Sequence, residues 1–69
     1  MPAAAADPST PVRHLRAVRE AQGLSLRRLA TLATIDYRRI FLFENGLKPS
    51  PTERRLLAAA LRVSMSELE

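Results

Sequence analysis

Cysteine is absent from the 69-residue chain. No disulfide staple and no thiolate metal site can form, and a reducing compartment is compatible with the sequence without being required by it. Glycine occurs only at Gly23 and Gly46, which leaves no glycine-rich loop to cradle a phosphate. The single histidine, His14, has no cysteine or acidic constellation around it. It offers no zinc-ligand pattern and no nucleophile–base pair, so neither a cofactor nor an enzymatic activity is expected. Long hydrophobic runs are also missing. The longest, residues 56–61, falls far short of the roughly 20 apolar residues that span a bilayer. Residues 1–9 (MPAAAADPS) contain Pro and Asp and lack the basic start of a signal peptide. The expectation is a soluble, cytoplasmic protein with no membrane partner.

Acidic residues are the minority, 7 against 11 basic ones, for a net charge of +4. Every basic residue except Lys48 is an arginine. The planar arginine fork matches phosphate oxygens and guanine edges, so nucleic acid is the leading partner class. An acidic protein or a membrane surface comes second. A GC-rich genome would also use Arg in place of Lys, and composition alone leaves both explanations open.

What is present is helical punctuation. Residues 1–9 read as a flexible tail and residues 10–69 as one small domain. Thr10-Pro11 offers a cap followed by Pro at a first helical position, predicting a helix over 11–22 that Gly23 stops. Leu15, Val18, Arg19 and Gln22 share one face of it. Ser25 caps a second helix over 26–33, with Leu29 and Ala30 inward, Leu26 and Ala33 flanking, and Arg27 and Arg28 outward. Asp36 caps a third over 37–45, stopped by Gly46. Ile40, Phe43 and Glu44 line one side of it; Arg38 and Leu42 share another direction. Ser50-Pro51-Thr52-Glu53 is a capping box opening a fourth helix over 51–61, with Leu57, Ala60 and Leu61 inward. Ser64-Met65-Ser66-Glu67 is a second box, opening a short fifth helix. Val63, Met65 and Leu68 can close the core there. No segment alternates as a strand does. The expected fold class is all-α, a compact bundle of about five short helices.

A short helix, a tight turn and a helix with polar groups at its start form the layout of a helix-turn-helix, whose second member fits the major groove. The stretches LRAVREAQGLSLRRLA and IDYRRIFLFENG sharpen that pattern. Through Leu15-x-x-x-Arg19, Gly23-Leu24-Ser25, Leu29-Ala30, Ile40-x-x-Phe43-Glu44-x-Gly46 and Leu61-x-Val63-Ser64, residues 12–68 resemble the phage-repressor and Cro-like helix-turn-helix family, also called the xenobiotic-response-element family. The resemblance implies a sequence-specific regulator of transcription that binds double-stranded DNA, most often a repressor and often a homodimer. It also implies that Glu44 near the end of the third helix pairs with Arg19 on the first. The sequence supports this independently: each charge lies on an apolar face, where an unpaired ion would be costly. Base reading would then fall to Tyr37, Arg38, Arg39 and Leu42, with Arg38 the first choice for a guanine. Phosphates would be held at the start of the second helix by Ser25, Arg27 and Arg28, and after the third by Asn45 with Gly46 and by Lys48. Arg54, Arg55 and Arg62 are left for solubility or subunit contacts.

The chain also departs from the family's pattern. Thr34 stands where Gly is usual, Leu26 where a polar group is common, and the loop between Gly46 and the fourth helix is one residue short. The run Ile40-Phe41-Leu42-Phe43 cannot point wholly inward, because successive helical residues turn by about 100°. Three readings stay open. Leu42 contacts thymine methyls, Phe41 folds back on Tyr37 and the first two helices, which is the favoured option, or Phe41 and Leu42 form a patch for a protein partner. The last would make the chain a protein-interaction module for a toxin, polymerase subunit or cytoskeletal protein.

Overall fold

A computed structural model describes residues 11–69. The tail expected over residues 1–9 and the cap expected at Thr10 lie outside the described residues. Five helices follow one another: α1 (Leu15–Ala21), α2 (Leu26–Ala33), α3 (Tyr37–Glu44), α4 (Pro51–Leu61) and α5 (Met65–Leu68). There is no strand among the described residues. The protein is an all-α bundle in which α2 packs on both α3 and α4, α1 on α3, and α5 on α4.

Each helix start has a stated cause. The Ser25 hydroxyl accepts from the Arg28 N–H at 3.0 Å and the Asp36 carboxylate from the Arg38 N–H at 2.8 Å. At α4, Ser50 and Glu53 cap reciprocally, and at α5 Glu67 accepts from the Ser64 N–H at 3.0 Å. These bonds satisfy donors that no preceding helical carbonyl can reach. The helix expected over 11–22 is the exception, because it starts only at Leu15. The His14 N–H donates to the Leu68 carbonyl at 2.9 Å, and the Leu15 N–H turns back to Val12 at 3.1 Å. Residues 11–14 therefore form a turn that drops Val12 into the core beside α5. The tertiary bond to α5 displaces the local helix signal of Pro11.

The ends of α1 to α4 share one geometry. Gly23, Thr34, Gly46 and Arg62 all have positive φ. The apolar residue after each, Leu24, Ile35, Leu47 and Val63, donates its N–H to the carbonyl five residues back, at 2.9–3.2 Å. This is the closing bond of the Schellman motif, and it satisfies carbonyls that the helix leaves open. Thr34 does adopt the left-handed conformation at φ 56°, a strained choice for a β-branched side chain.

The core is drawn from every element: Val12, Leu15, Leu29, Ala33, Ile35, Ile40, Phe43, Leu57, Ala58, Leu61 and Leu68 are buried. Full burial of such a side chain stabilises by about 1.5–3 kcal/mol. Ala58 is the inward alanine of α4, and Ala60 is only half-buried. Arg54 departs furthest from its expected surface place. It is 3 % exposed, with Nη1 3.8 Å from the Glu69 carboxylate, so it belongs to the α4–α5 packing.

Candidate nucleic-acid interface

One ion pair anchors the C-terminal end of α3 against α1. Arg19 on α1 grips Glu44, the last residue of α3, with Nε to Oε2 at 2.6 Å and Nη2 to Oε1 at 3.1 Å. Its third nitrogen, Nη1, donates to the Leu24 carbonyl at 2.8 Å. The two side chains are only 10 % and 4 % exposed. A fork-to-fork pair fixes an angle as well as a distance. The bond to Glu44 raises the Arg19 pKa above its ordinary value, against the opposing effect of burial.

With Ile40, Phe43 and Glu44 turned inward, the 100° step of the helix sets what faces out. Arg38, Leu42 and Asn45 form the outermost stripe, flanked by Phe41 and Tyr37 on one side and Arg39 on the other. Leu42 is 49 % exposed. Phe41 is 52 % exposed, so any fold back onto Tyr37 and the first two helices leaves about half of its surface open to solvent. The inward face is already filled by Ile40 and Phe43.

The starts of α2 and α3 form one continuous surface. The Arg27 guanidinium lies 4.2 Å from the centroid of the Tyr37 ring and that of Arg38 lies 5.8 Å from it. Arg28 is exposed and makes no ion pair among the described residues. The Leu26 and Arg27 N–H groups meet no acceptor among the described residues. Open amides at a helix start, beside two guanidiniums, concentrate positive potential on this surface.

The sequence did not reveal how three of the expected contacts are engaged. Arg38 is turned onto Asp36: Nε donates to Oδ1 at 3.2 Å and Nη2 to Oδ2 at 3.0 Å. That pairing holds the Asp36 carboxyl below its usual range. Arg39 is bound through Nε and Nη2 to both carboxylate oxygens of Glu53, the capping residue of α4, and its guanidinium lies 5.3 Å from the centroid of the Phe43 ring. It ties α3 to α4. The Asn45 amide donates to the Phe41 carbonyl at 2.8 Å, and Lys48 is exposed in the loop beyond. Asp36 and Glu53 were legible as caps. Their second role, as counter-ions to Arg38 and Arg39, needs side-chain directions that spacing does not supply.

Among the described residues there is no group of His, Asp or Glu placed to hold a metal, and no helix long and apolar enough to cross a membrane. A helix pair α2–α3 joined by a tight turn, with α3 presenting an outward stripe, defines a helix-turn-helix domain. A helix-turn-helix family model matches residues 15–68. The chain belongs to this family, the phage-repressor and Cro-like type, whose members are DNA-binding regulators of transcription. No curated protein and no solved structure matches at a significant level.

Proposed function

We propose that the chain is a sequence-specific transcriptional repressor that reads the DNA major groove with α3. The observation that carries this reading is the outward stripe of Arg38, Leu42 and Asn45, held out by the Arg19–Glu44 pair next to the open amides and cations of α2. In this reading Arg38 bonds a guanine and Leu42 packs on a thymine methyl. Tyr37 braces Arg27 and Arg38 at the groove edge. Ser25, Arg27, Arg28 and the first amides of α2 hold one phosphate run, and Asn45 and Lys48 a second. Arg39, given its tie to Glu53, positions α3 and does not read a base. A homodimer on two half-sites about one helical turn apart is the arrangement such a domain uses to double its contacts, and the cytoplasm is where it would meet its DNA.

The test is selection of bound duplexes from a random pool, followed by fluorescence anisotropy on the recovered site across a salt series. Binding should weaken steeply as salt rises, because each phosphate contact releases counterions. Arg38→Ala should relax preference at one base pair, worth about 1–3 kcal/mol of discrimination. Arg27→Ala should weaken every sequence alike and flatten the salt slope by about one unit. Binding that is absent even at low salt would overturn the reading. The exposure of both Phe41 and Leu42 favours one competitor, a protein-interaction module on the same fold. That competitor gains if Phe41→Ser abolishes capture of a protein while duplex binding is absent.

A further inference from the structure

Asp36 holds Arg38 by one edge only. Its carboxylate engages Nε and Nη2, at 3.2 and 3.0 Å, while the same carboxylate caps α3 through the Arg38 N–H. The opposite edge, made of Nη1 and the second Nη2 proton, meets no acceptor among the described residues, and the Arg38 side chain is 77 % exposed. A guanidinium has five N–H donors in a fixed plane. Locking the Nε–Nη2 edge therefore fixes the direction of the free Nη1–Nη2 edge, and that edge has the two parallel donors a guanine O6/N7 pair accepts. The Arg38 guanidinium carbon lies over the Tyr37 ring, 5.8 Å from its centroid.

We infer that Asp36 is a specificity-determining residue that holds the free edge of Arg38 in the plane of a guanine. This deepens the DNA-binding reading above and rests on it. The gain is geometric: an arginine already held in its bonding orientation loses less rotamer freedom when it meets the base. It also gains selectivity against the backbone. A carboxylate beside the guanidinium repels phosphate, so Arg38 is steered to base edges while Arg27 and Arg28, with no carboxylate bonded to them among the described residues, are left to the backbone. Asp36 touches Arg38 and not the base, so it acts as a positioning residue.

The experiment separates this from a purely structural role. Asn caps a helix about as well as Asp, so Asp36→Asn keeps the start of α3 while weakening the hold on Arg38. Asp36→Ser provides a second cap-competent variant should the first fail to fold, with far-UV circular dichroism confirming helix content. Each is titrated with the selected duplex and with the three duplexes altered at the base pair whose preference Arg38→Ala relaxes. The expected result is a preference for guanine that falls about tenfold in Asp36→Asn, with the other base pairs read as before. Restoration of the preference by Asp36→Glu would add support. A guanine preference that survives in both Asp36→Asn and Asp36→Ser but vanishes in Arg38→Ala would overturn the inference and leave the DNA-binding reading standing. An increase in affinity for all sequences, with the preference intact, would overturn it too, because Asp36 would then be a competitor of the DNA. Equal preference in the wild type and Arg38→Ala would overturn the inference together with the role of Arg38 as a base reader, whereas duplex binding absent even at low salt would overturn the DNA-binding reading itself.

Discussion

Removing Glu44 leaves the Arg19 guanidinium in a site that water scarcely reaches. Three of its nitrogens are already committed, two to Glu44 and one to the Leu24 carbonyl. Loss of one partner of a buried pair typically costs about 3–5 kcal/mol. A domain this small has a total stability of only a few kcal/mol. Glu44→Ala is therefore expected to be largely unfolded, measured by urea denaturation. Arg16→Ala is the control, because its i,i+4 pair with Glu20 is exposed at 3.0 Å and it leaves both carboxylates near Arg19 in place. It should change stability by no more than about 0.5 kcal/mol. Thr34 gives a prediction of the opposite sign. At φ 56° a side chain costs about 1–2 kcal/mol, and the extra freedom of glycine in the unfolded chain offsets about half of that. Thr34→Gly should stabilise by up to about 1 kcal/mol, a rise of several degrees in Tm.

The acids that begin α3 and α4 each serve twice, and this gives the elements a pH dependence. Asp36 caps α3 and binds Arg38; Glu53 closes the capping box of α4 and binds Arg39. The arginine bonds are the largest cause of the lowered pKa at both carboxyls. A folded value below the unfolded one adds stability above the unfolded value and loses it as pH falls through the folded one. Both helix starts should therefore weaken as pH falls through and below the ordinary carboxylate range. The raised values at Arg19, Arg38 and Arg39 act in the opposite sense, contributing at every pH below the ordinary arginine range and so untouched by mild alkali. A denaturation midpoint lower at pH 3 than at pH 6, with the difference reduced in Glu53→Gln, is the expected outcome.

The same elements explain how much was legible in the sequence. Ser25, Asp36, Ser50 and the stops at Gly23 and Gly46 were readable because a cap is a local bond between near neighbours. Thr34 carried its signal only through the family's usual Gly, and Arg62 carried none, since an L residue does not announce a positive φ. The burial of Arg54, the late start of α1 and the tie of Arg39 to Glu53 each depend on a partner far along the chain. Spacing rules cover one turn of helix, so such pairings stay hidden until the helices are packed.

Folding and recognition use charge in different surroundings across the whole molecule, and salt should separate them. The Arg19–Glu44 pair is enclosed by the α1–α3 contact, where mobile ions have little access. The core that supports it is apolar, and burial of apolar surface does not weaken with ordinary salt. Arg27 and Arg28 face solvent, and any phosphate they hold is bound with release of counterions, a gain that shrinks as salt rises. Raising salt from 50 to 500 mM should thus lower duplex affinity by orders of magnitude while leaving the thermal midpoint of the free protein nearly unchanged. Anisotropy and circular dichroism on the same samples would check both. A midpoint that fell together with affinity would mean that exposed pairs such as Arg39–Glu53, and not the enclosed pair, hold α3 in place. Arg19→Met/Glu44→Leu would then keep the fold, because apolar side chains of similar volume can replace an enclosed pair without loss.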